Sequence, residues 1–542
     1  MIDGEPPHDP VREARRRLGL TLTDVQREAV SSVLAGRDTL LVSPTGSGKS
    51  AVYQLTGAMT EGVTVVVSPL LALQEDQLAR FAELDVGEAV AVSSLRGAKA
   101  RRAALARLAD GEVEFVLLGP EQLRRDDVRA ALRRRGIDRL VVDEAHCIDL
   151  WGTDLRPDYA ALGAVRADLG SPPVLAATAT APPHVREEIT AVLHLVDPAE
   201  VVAPTERTNI HLAVERHADR DTLDAAVVDE VAQRAGRGLV YVGRRRDAEA
   251  LVERLDRPNR RAFAYHGSLS AARRQQVHRA FAGDDDAVVV ATNAFGLGID
   301  VADVRFVVHT DAPETVDSYA QEIGRAGRDG DHATATLHVV AASPGRRRFA
   351  AGGSLPDAAL CAAVAGIRSA TPLAELRRVL GQPQGRLLQA VRLVELAGGV
   401  TLGADLVVQP GSAPWPAIMA DVCADLERRE ALRRTRREMI DAYAEGDGCR
   451  WATLTGYLGR AEVRSCGHCD ACRAGVRRRE VTRVAEPDAV VHAEFGAGTV
   501  VREDDDVVVV LFDQAGYRTL SKEVLGDPSA AGSLERSVSA TA

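Results

Sequence analysis

The chain has 542 residues, 46% apolar and 27% charged; it can bury several cores, which excludes a disordered polymer and points to three or more domains. Its net charge of −11 excludes a uniformly basic nucleic-acid coat, but not a motor that needs a single basic track. No apolar run is long enough to span a bilayer and no signal peptide opens the chain, so a cytoplasmic protein with no membrane partner is expected.

Met1 to Pro10 is polar and reads as a loose end. From residue 11 to 200, short apolar runs alternate with helical stretches. Strands are expected at 39–42, 63–67, 114–118, 139–142 and 174–177, the rhythm of a parallel sheet covered on both faces. Directly behind the first of these comes Ser43-Pro44-Thr45-Gly46-Ser47-Gly48-Lys49-Ser50, with Ser43 where such loops usually begin with glycine. A glycine turn after a buried strand points the backbone N–H groups around Thr45, Gly46, Ser47 and Gly48 at phosphate oxygens. Lys49 would then reach the β- and γ-phosphates. The fourth strand ends in Asp143-Glu144-Ala145-His146. Ser50 and Asp143 are assigned to Mg²⁺, and Glu144 to orienting or deprotonating the attacking water. The two segments together describe a nucleoside-triphosphate hydrolysing machine.

Residues 207–340 repeat the rhythm, with strands expected at 238–242, 261–265, 287–291, 304–308 and 333–337 but no phosphate loop. In Tyr319-Ala320-Gln321-Glu322-Ile323-Gly324-Arg325-Ala326-Gly327-Arg328, two arginines three apart on a glycine-containing helix would face one direction. Across a cleft they could neutralise charge on a transferring phosphoryl group.

After a glycine-rich break at 351–353, Thr371-Pro372 reads as an N-cap and first helical residue of a helix ending at Gly381. A second helix ends at Gly398-Gly399, and strands at 400–402 and 406–408 follow. This is either a helix-turn-helix with a wing or a plain helical linker. Residues 417–444 read as one long arginine-rich helix. Cys449, Cys466, Cys469 and Cys472 then give C-x16-C-x2-C-x2-C, a spacing suited to tetrahedral Zn²⁺. His468 is expected to face outward, and Cys147, Cys361 and Cys423 to be thiols outside any metal site. Alternation around Gly and Asp turns predicts a small β-barrel at 487–525 and a disordered Ser/Ala-rich tail at 526–542.

From about residue 18 to 475 the chain resembles RecQ-type DNA helicases of superfamily two. The resemblance rests on the phosphate loop, the Asp143 box, Val67 to Gln77 (motif Ia), Gly119-Pro120-Glu121-Gln122-Leu123, Cys147 to Tyr159 (the aromatic-rich loop), Thr178-Ala179-Thr180 (motif III), Ala291 to Asp300 (motif V) and 319–330 (motif VI). It implies ATP hydrolysis coupled to 3′→5′ movement on single-stranded DNA, acting on forked or tailed DNA in repair and recombination. By position it implies that Gln26 reads adenine, Gln321 contacts nucleotide or water, Arg328 is the arginine finger with Arg325 beside it, and Trp151, Arg156, Ser68, Pro69 and Thr292 touch DNA. The zinc spacing is similar to the RecQ zinc module.

The chain departs from the family at Leu22-Thr23, where Phe-Arg is usual, and at Asp149, Leu150, Thr153 and Leu155 of the aromatic-rich loop. The winged-helix-like segment also precedes the cysteines instead of following them. Residues 490–522 resemble the Tudor-like module of UvrD/PcrA helicases, which implies a protein partner such as RNA polymerase. The fold expected is therefore α/β: RecA-like parallel-sheet lobes at 1–205 and 206–350, a winged-helix-like α+β segment at 351–413, a helical zinc module at 414–482, an SH3/Tudor-like barrel at 483–525 and the tail. The rival readings are an RNA-remodelling ATPase of the same superfamily and a DNA-binding scaffold with weak coupling.

Overall fold

The computed structural model describes residues 9–69, 77–78, 80–93, 97–150, 158–257, 260–293, 295, 301–340, 356–403, 406–459, 464–475, 489–492, 496–503, 507–512, 516–521 and 534–536. The chain divides into two compact units: Met1–Thr205 with Gly296–Asp300 and Ala363–Ser412, and Glu206–Phe295 with Val301–Ala362 and Ala413–Ala542. No helix among the described residues is long and apolar enough to cross a membrane.

The first unit is built on seven strands: β1 (Thr39–Val42), β2 (Val63–Val67), β3 (Ala89–Val92), β4 (Phe115–Leu118), β5 (Ile137–Asp143), β6 (Val174–Thr178) and β7 (Ala199–Val202). They pair in the order β3-β4-β2-β5-β6-β1-β7, every pair parallel. All five expected strands are present. The two that were not expected, β3 and β7, are the sheet edges. Burial explains β7, since β1, β2, β4 and β6 are buried along their whole length and read as unbroken apolar runs, whereas β7 alternates and ends exposed; β3 is short but apolar and largely buried. Valine and leucine from both sheet faces fill two clusters, one containing Leu40, Val65 and Leu140, the other Leu41, Val66 and Val141.

Residues 371–410 of this unit form a small three-stranded antiparallel sheet with two helices. Thr371–Pro372 is a strand (β14) paired with Val407–Val408, not a helix start, and Pro372 caps the helix Leu373–Leu380 instead of opening it. Proline has fixed the boundary as expected, one residue later. Gly381 ends that helix in the left-handed region at φ +62°, where glycine meets no Cβ penalty. The helix Gln384–Leu396 and the strands Val400–Leu402 and Val407–Pro410 follow. Buried Arg392 and partly buried Glu395 on that helix join Arg124 and Asp158 in an ion-pair network within the same unit.

The second unit holds β8 (Ile210–His217), β9 (Arg237–Tyr241), β10 (Ala262–Tyr265), β11 (Val288–Ala291), β12 (Val304–His309) and β13 (Ala333–Val340), all parallel in the order β10-β11-β9-β12-β13-β8. Again the unexpected strand, β8, is an edge, with exposed Glu215 and Arg216 breaking its apolar signal. The arginine-rich helix spans Trp415–Glu445, and short helices Arg450–Tyr457 and Asp470–Arg473 carry the cysteine region. Near the C-terminus, Ala489–His492, Gly496–Glu503, Val507–Phe512, Gly516–Ser521 and Leu534–Arg536 form a five-stranded antiparallel sheet. Leu534–Arg536 lies within the stretch expected to be a structureless tail. It pairs instead with Val490–His492, because backbone hydrogen bonding asks little of side-chain polarity.

Candidate functional site

In an all-parallel sheet the carboxyl ends of the strands share one edge, and ligands bind there. Register brings the chemistry of the first unit together at that edge. Val42 lies opposite Thr178 and Asp143 opposite Ala177, so the phosphate loop, motif III and the Asp143 box leave β1, β6 and β5 side by side.

Gly46 and Gly48 stand at φ +79° and +76°, and Gly48 caps the helix Lys49–Ala58, whose first N–H groups face the loop. Lys49 Nζ donates to the carbonyls of Ser43 (2.9 Å) and Pro44 (3.3 Å), which curls the ammonium over the loop. Ser43 Oγ donates to Ser47 Oγ at 2.8 Å, so the residue replacing the first glycine ties the loop across its own base. Gln26 Nε2 donates to the carbonyls of Ser47 (2.9 Å) and Gly48 (3.3 Å). A Cβ on Gly48 would come within 2.7 Å of that nitrogen. Thr23, one of the departures from the family, forms a capping box with Gln26, the backbone N–H of each bonding the other's side chain. The Thr-x-x-Gln spacing was readable in the sequence and was overlooked.

Asp143 and Glu144 are both buried. Burial, then the neighbouring Glu144, push the Asp143 carboxyl up to about 6, with Lys49 pulling in the opposite direction. Asp143 Oδ2 accepts from Gln77 Nε2 at 3.1 Å, and the same nitrogen reaches the Tyr53 hydroxyl at 2.9 Å. Gln77 is thus a positioning residue for Asp143 that the motif reading quoted without a role. Glu144 sits at φ +51°, unusual for a residue with a Cβ. Its Oε2 is buried, accepts no hydrogen bond among the described residues and lies 3.4 Å from His146 Nδ1. That nitrogen is also 2.9 Å from Thr178 Oγ1, linking the box to motif III. A lysine ammonium over the loop, a helix N-terminus, two buried carboxylates and an orphan acceptor fit a magnesium-bound triphosphate with an attacking water.

In the second unit the helix Val316–Ile323 stops before the arginines. Arg325 and Arg328 lie in successive turns after Gly324, so the expected common helix face is corrected. Gly327 is the reason: at φ +53° it leaves helical geometry, its N–H bonds the Val304 carbonyl at 2.8 Å, and its carbonyl accepts from Asn209 at 2.8 Å. Arg325 is nearly fully buried near Tyr241, whose phenol burial pushes up to about 12 against the pull of that guanidinium. His309 stacks on Tyr241 with centroids 5.1 Å apart and bonds Glu322 at 2.8 Å. Gln321 is half-buried, and its Nε2 has no partner among the described residues. Thr292 follows β11, half-buried, its N–H on the Tyr265 carbonyl at 3.2 Å. Ser68 and Pro69 are buried behind β2. Trp151 and Arg156 lie outside the described residues.

The four cysteines converge. Cys466 and Cys472 sulfurs are 3.9 Å apart, as are those of Cys449 and Cys469, and all four lie within 4.8 Å of one another with no disulfide. Four sulfurs about 2.3 Å from a shared Zn²⁺ would stand about 3.8 Å apart, so the cluster fits the ion. Backbone N–H groups of Cys466, His468 and Cys469 point at sulfurs of Cys449 and Cys466, as suits thiolates. His468 turns its Nδ1 to the Cys466 carbonyl and is no ligand. The module is fastened to β8: Trp451 Nε1 donates to the Ile210 carbonyl, and Asp470, gripped by Arg450, accepts from Val214 N–H.

Residues 23–189 match the DEAD/DEAH box helicase family, and residues 221–330 the helicase conserved C-terminal domain. Over 313 residues (58% of this chain, 63% of the relative) the chain is 38% identical to the probable ATP-dependent DNA helicase RecS of Bacillus subtilis. It is 37% identical over 309 residues to the ATP-dependent DNA helicase RecQ of the same organism, covering 56% of this chain and 51% of the relative. The helicase core of this chain is similar to those of RecS and RecQ DNA helicases. The chain spans about half to two thirds of the length of these curated relatives. The chain also shares its fold with the helicase MrfA bound to DNA, at TM-score 0.53 and 18% identity, covering 76% of this chain and 63% of that one.

Proposed function

We propose that the chain is an ATP-dependent DNA helicase or translocase of RecQ type, moving 3′→5′ on single-stranded DNA and acting on forked or tailed duplexes in repair and recombination. The carrying observation is the alignment of Lys49, Asp143 and Glu144 at one sheet edge, inside a core 37–38% identical to RecS and RecQ. Lys49 leaves the Ser43 and Pro44 carbonyls for the terminal phosphates, while Thr45, Gly46, Ser47 and Gly48 present N–H groups to them. Ser50 and Asp143 would hold Mg²⁺, which would supply charge neutralisation for the phosphates. Glu144 aligns and deprotonates the attacking water, its orphan oxygen receiving the water's hydrogen. Gln26 recognises the adenine edge, Arg328 and Arg325 stabilise charge on the phosphoryl group, and Gln321 orders water or nucleotide. Trp151, Arg156, Ser68, Pro69 and Thr292 contact DNA.

Around this motor we assign a winged-helix-like segment at 351–413, a Zn²⁺ module at 414–482 held by Cys449, Cys466, Cys469 and Cys472, and an SH3/Tudor-like β module at 483–525 that meets RNA polymerase or another protein on the bacterial nucleoid. The parallel lobes extend over 1–205 and 206–350. The decisive experiment compares unwinding of 3′-tailed and 5′-tailed duplexes while ATP consumption is followed. Strand separation confined to the 3′ tail supports the reading. ATP turnover stimulated equally by single-stranded RNA, or no stimulation by DNA, rejects it.

A further inference from the structure

Parallel register between β8 and β13 sets His338 opposite Glu215, and Val340 opposite His217. Side chains alternate along a strand, so Glu215, His217 and His338 share one face of the sheet. Their donor atoms gather within 4.8 Å of one another. His217 Nε2 is 2.9 Å from His338 Nδ1, and Glu215 Oε2 is 3.8 Å from that same nitrogen. The helix Arg220–Gln233 carries Glu230, whose Oε2 bonds His338 Nε2 at 2.8 Å. Its other oxygen is held by Thr336 Oγ1 (2.8 Å) and Arg234 Nη2 (2.7 Å). None of these groups belongs to the nucleotide edge or the tetracysteine module.

We infer that Glu215, His217 and His338 form a second metal site, selective for a divalent first-row ion that prefers imidazole, such as Zn²⁺. The decisive feature is Glu230. A carboxylate on the far nitrogen of a histidine fixes its tautomer and makes the near nitrogen a better donor, the arrangement found behind metal-ligating imidazoles. With Nε2–H committed to Glu230, the His338 Nδ1 lone pair faces His217 and Glu215. Without metal, His217 Nε2–H fills that lone pair. On binding, His217 carries its proton on Nδ1 instead, and both imidazoles offer lone pairs without net proton loss. His338 is fully buried and Glu215 exposed, so the site is anchored on one side and open to solvent on the other. Three protein ligands leave a coordination position for water. β8 would then be braced twice, by the tetracysteine module through Ile210 and Val214 and by this ion at its carboxyl end.

The test is calorimetric titration of Zn²⁺ into the full chain with its tetracysteine site already filled. One further saturable equivalent is expected. Removing a ligand in His217→Ala, or replacing the exposed carboxylate in Glu215→Gln, should weaken it tenfold or more, and Glu230→Gln by about 10- to 100-fold through the imidazole it orients. Glu215→Gln is a solvent-side change, so it decides the matter even if His217→Ala disturbs folding. No saturable uptake beyond the tetracysteine equivalent overturns the site, as does uptake that Glu215→Gln leaves unchanged. Neither outcome bears on ATP hydrolysis, so failure here and failure of the helicase reading are separable.

Discussion

The two parallel sheets use the same strand rhythm to different ends. In the first unit the carboxyl edge is polar and catalytic in character, with a glycine loop, a lysine reaching back over it and two buried carboxylates at the end of β5, the next strand but one. In the second, the ends of β9 and β12 carry a stacked Tyr241–His309 pair with Glu322 and Arg325 close by, and no phosphate loop. The fold is the scaffold in both; the residues at the strand ends decide which lobe can hold a triphosphate.

The comparison breaks most visibly at Lys49. Lys49→Ala should cut DNA-stimulated ATP hydrolysis by about 10³-fold while leaving the thermal unfolding profile in place, because the Ser43 and Pro44 carbonyls it bonds belong to the loop. A loss below about tenfold in steady-state turnover would mean that the loop is no phosphate cradle. The second lobe should answer differently to a structural injury. Cys469→Ser should release the tetracysteine metal and raise hydrogen exchange at Ile210 and Val214, since Trp451 and Asp470 are fastened to that strand, while exchange in β1 and β5 stays as it was. Uniform exchange change across both sheets would contradict the division.

Gly327→Ala should destabilise the chain by about 1–3 kcal/mol, read from urea unfolding, because φ +53° is strained for alanine and the new Cβ would press within 2.5 Å of Asn209 Nδ2. ATP turnover should fall with it, as the same turn positions Arg328. The smallest effect belongs to Ser43→Gly. It removes the 2.8 Å bond to Ser47, worth about 1 kcal/mol, and should alter turnover by less than about tenfold. A larger loss would promote Ser43 from loop brace to participant in nucleotide binding.

What was legible depended on burial. β1, β2, β4, β5 and β6, and likewise β9, β11, β12 and β13, lie inside their sheets and were declared by their apolar runs; β10 is an edge but was read from its own aromatic-rich run. β7 and β8 are edges with exposed polar positions and went unread; β3, also an edge, went unread although it is short, apolar and largely buried. The site divides in the same way. Lys49, Asp143 and the cysteines were identified by spacing along the chain. Gln77, Thr178 and Glu230 act by bonding residues 66, 32 and 108 positions away, for which linear spacing carries no signal. The arginine turn was misread because Gly327 takes its shape from Asn209 and Val304 on other elements, not from local helix propensity.

By itself, the order of amino acids determined the parallel architecture, the phosphate loop, the Asp143 box and the four-cysteine set. Each of these depends on neighbours a few residues apart or on runs of one hydropathy. Tertiary structure alone decided which strands close the sheets, how Asp143 is buried and braced, and that Glu215, His217, His338 and Glu230 meet. Those facts arise from register between segments far apart in the chain, where hydrogen-bond geometry and burial, rather than local preference, select the partners.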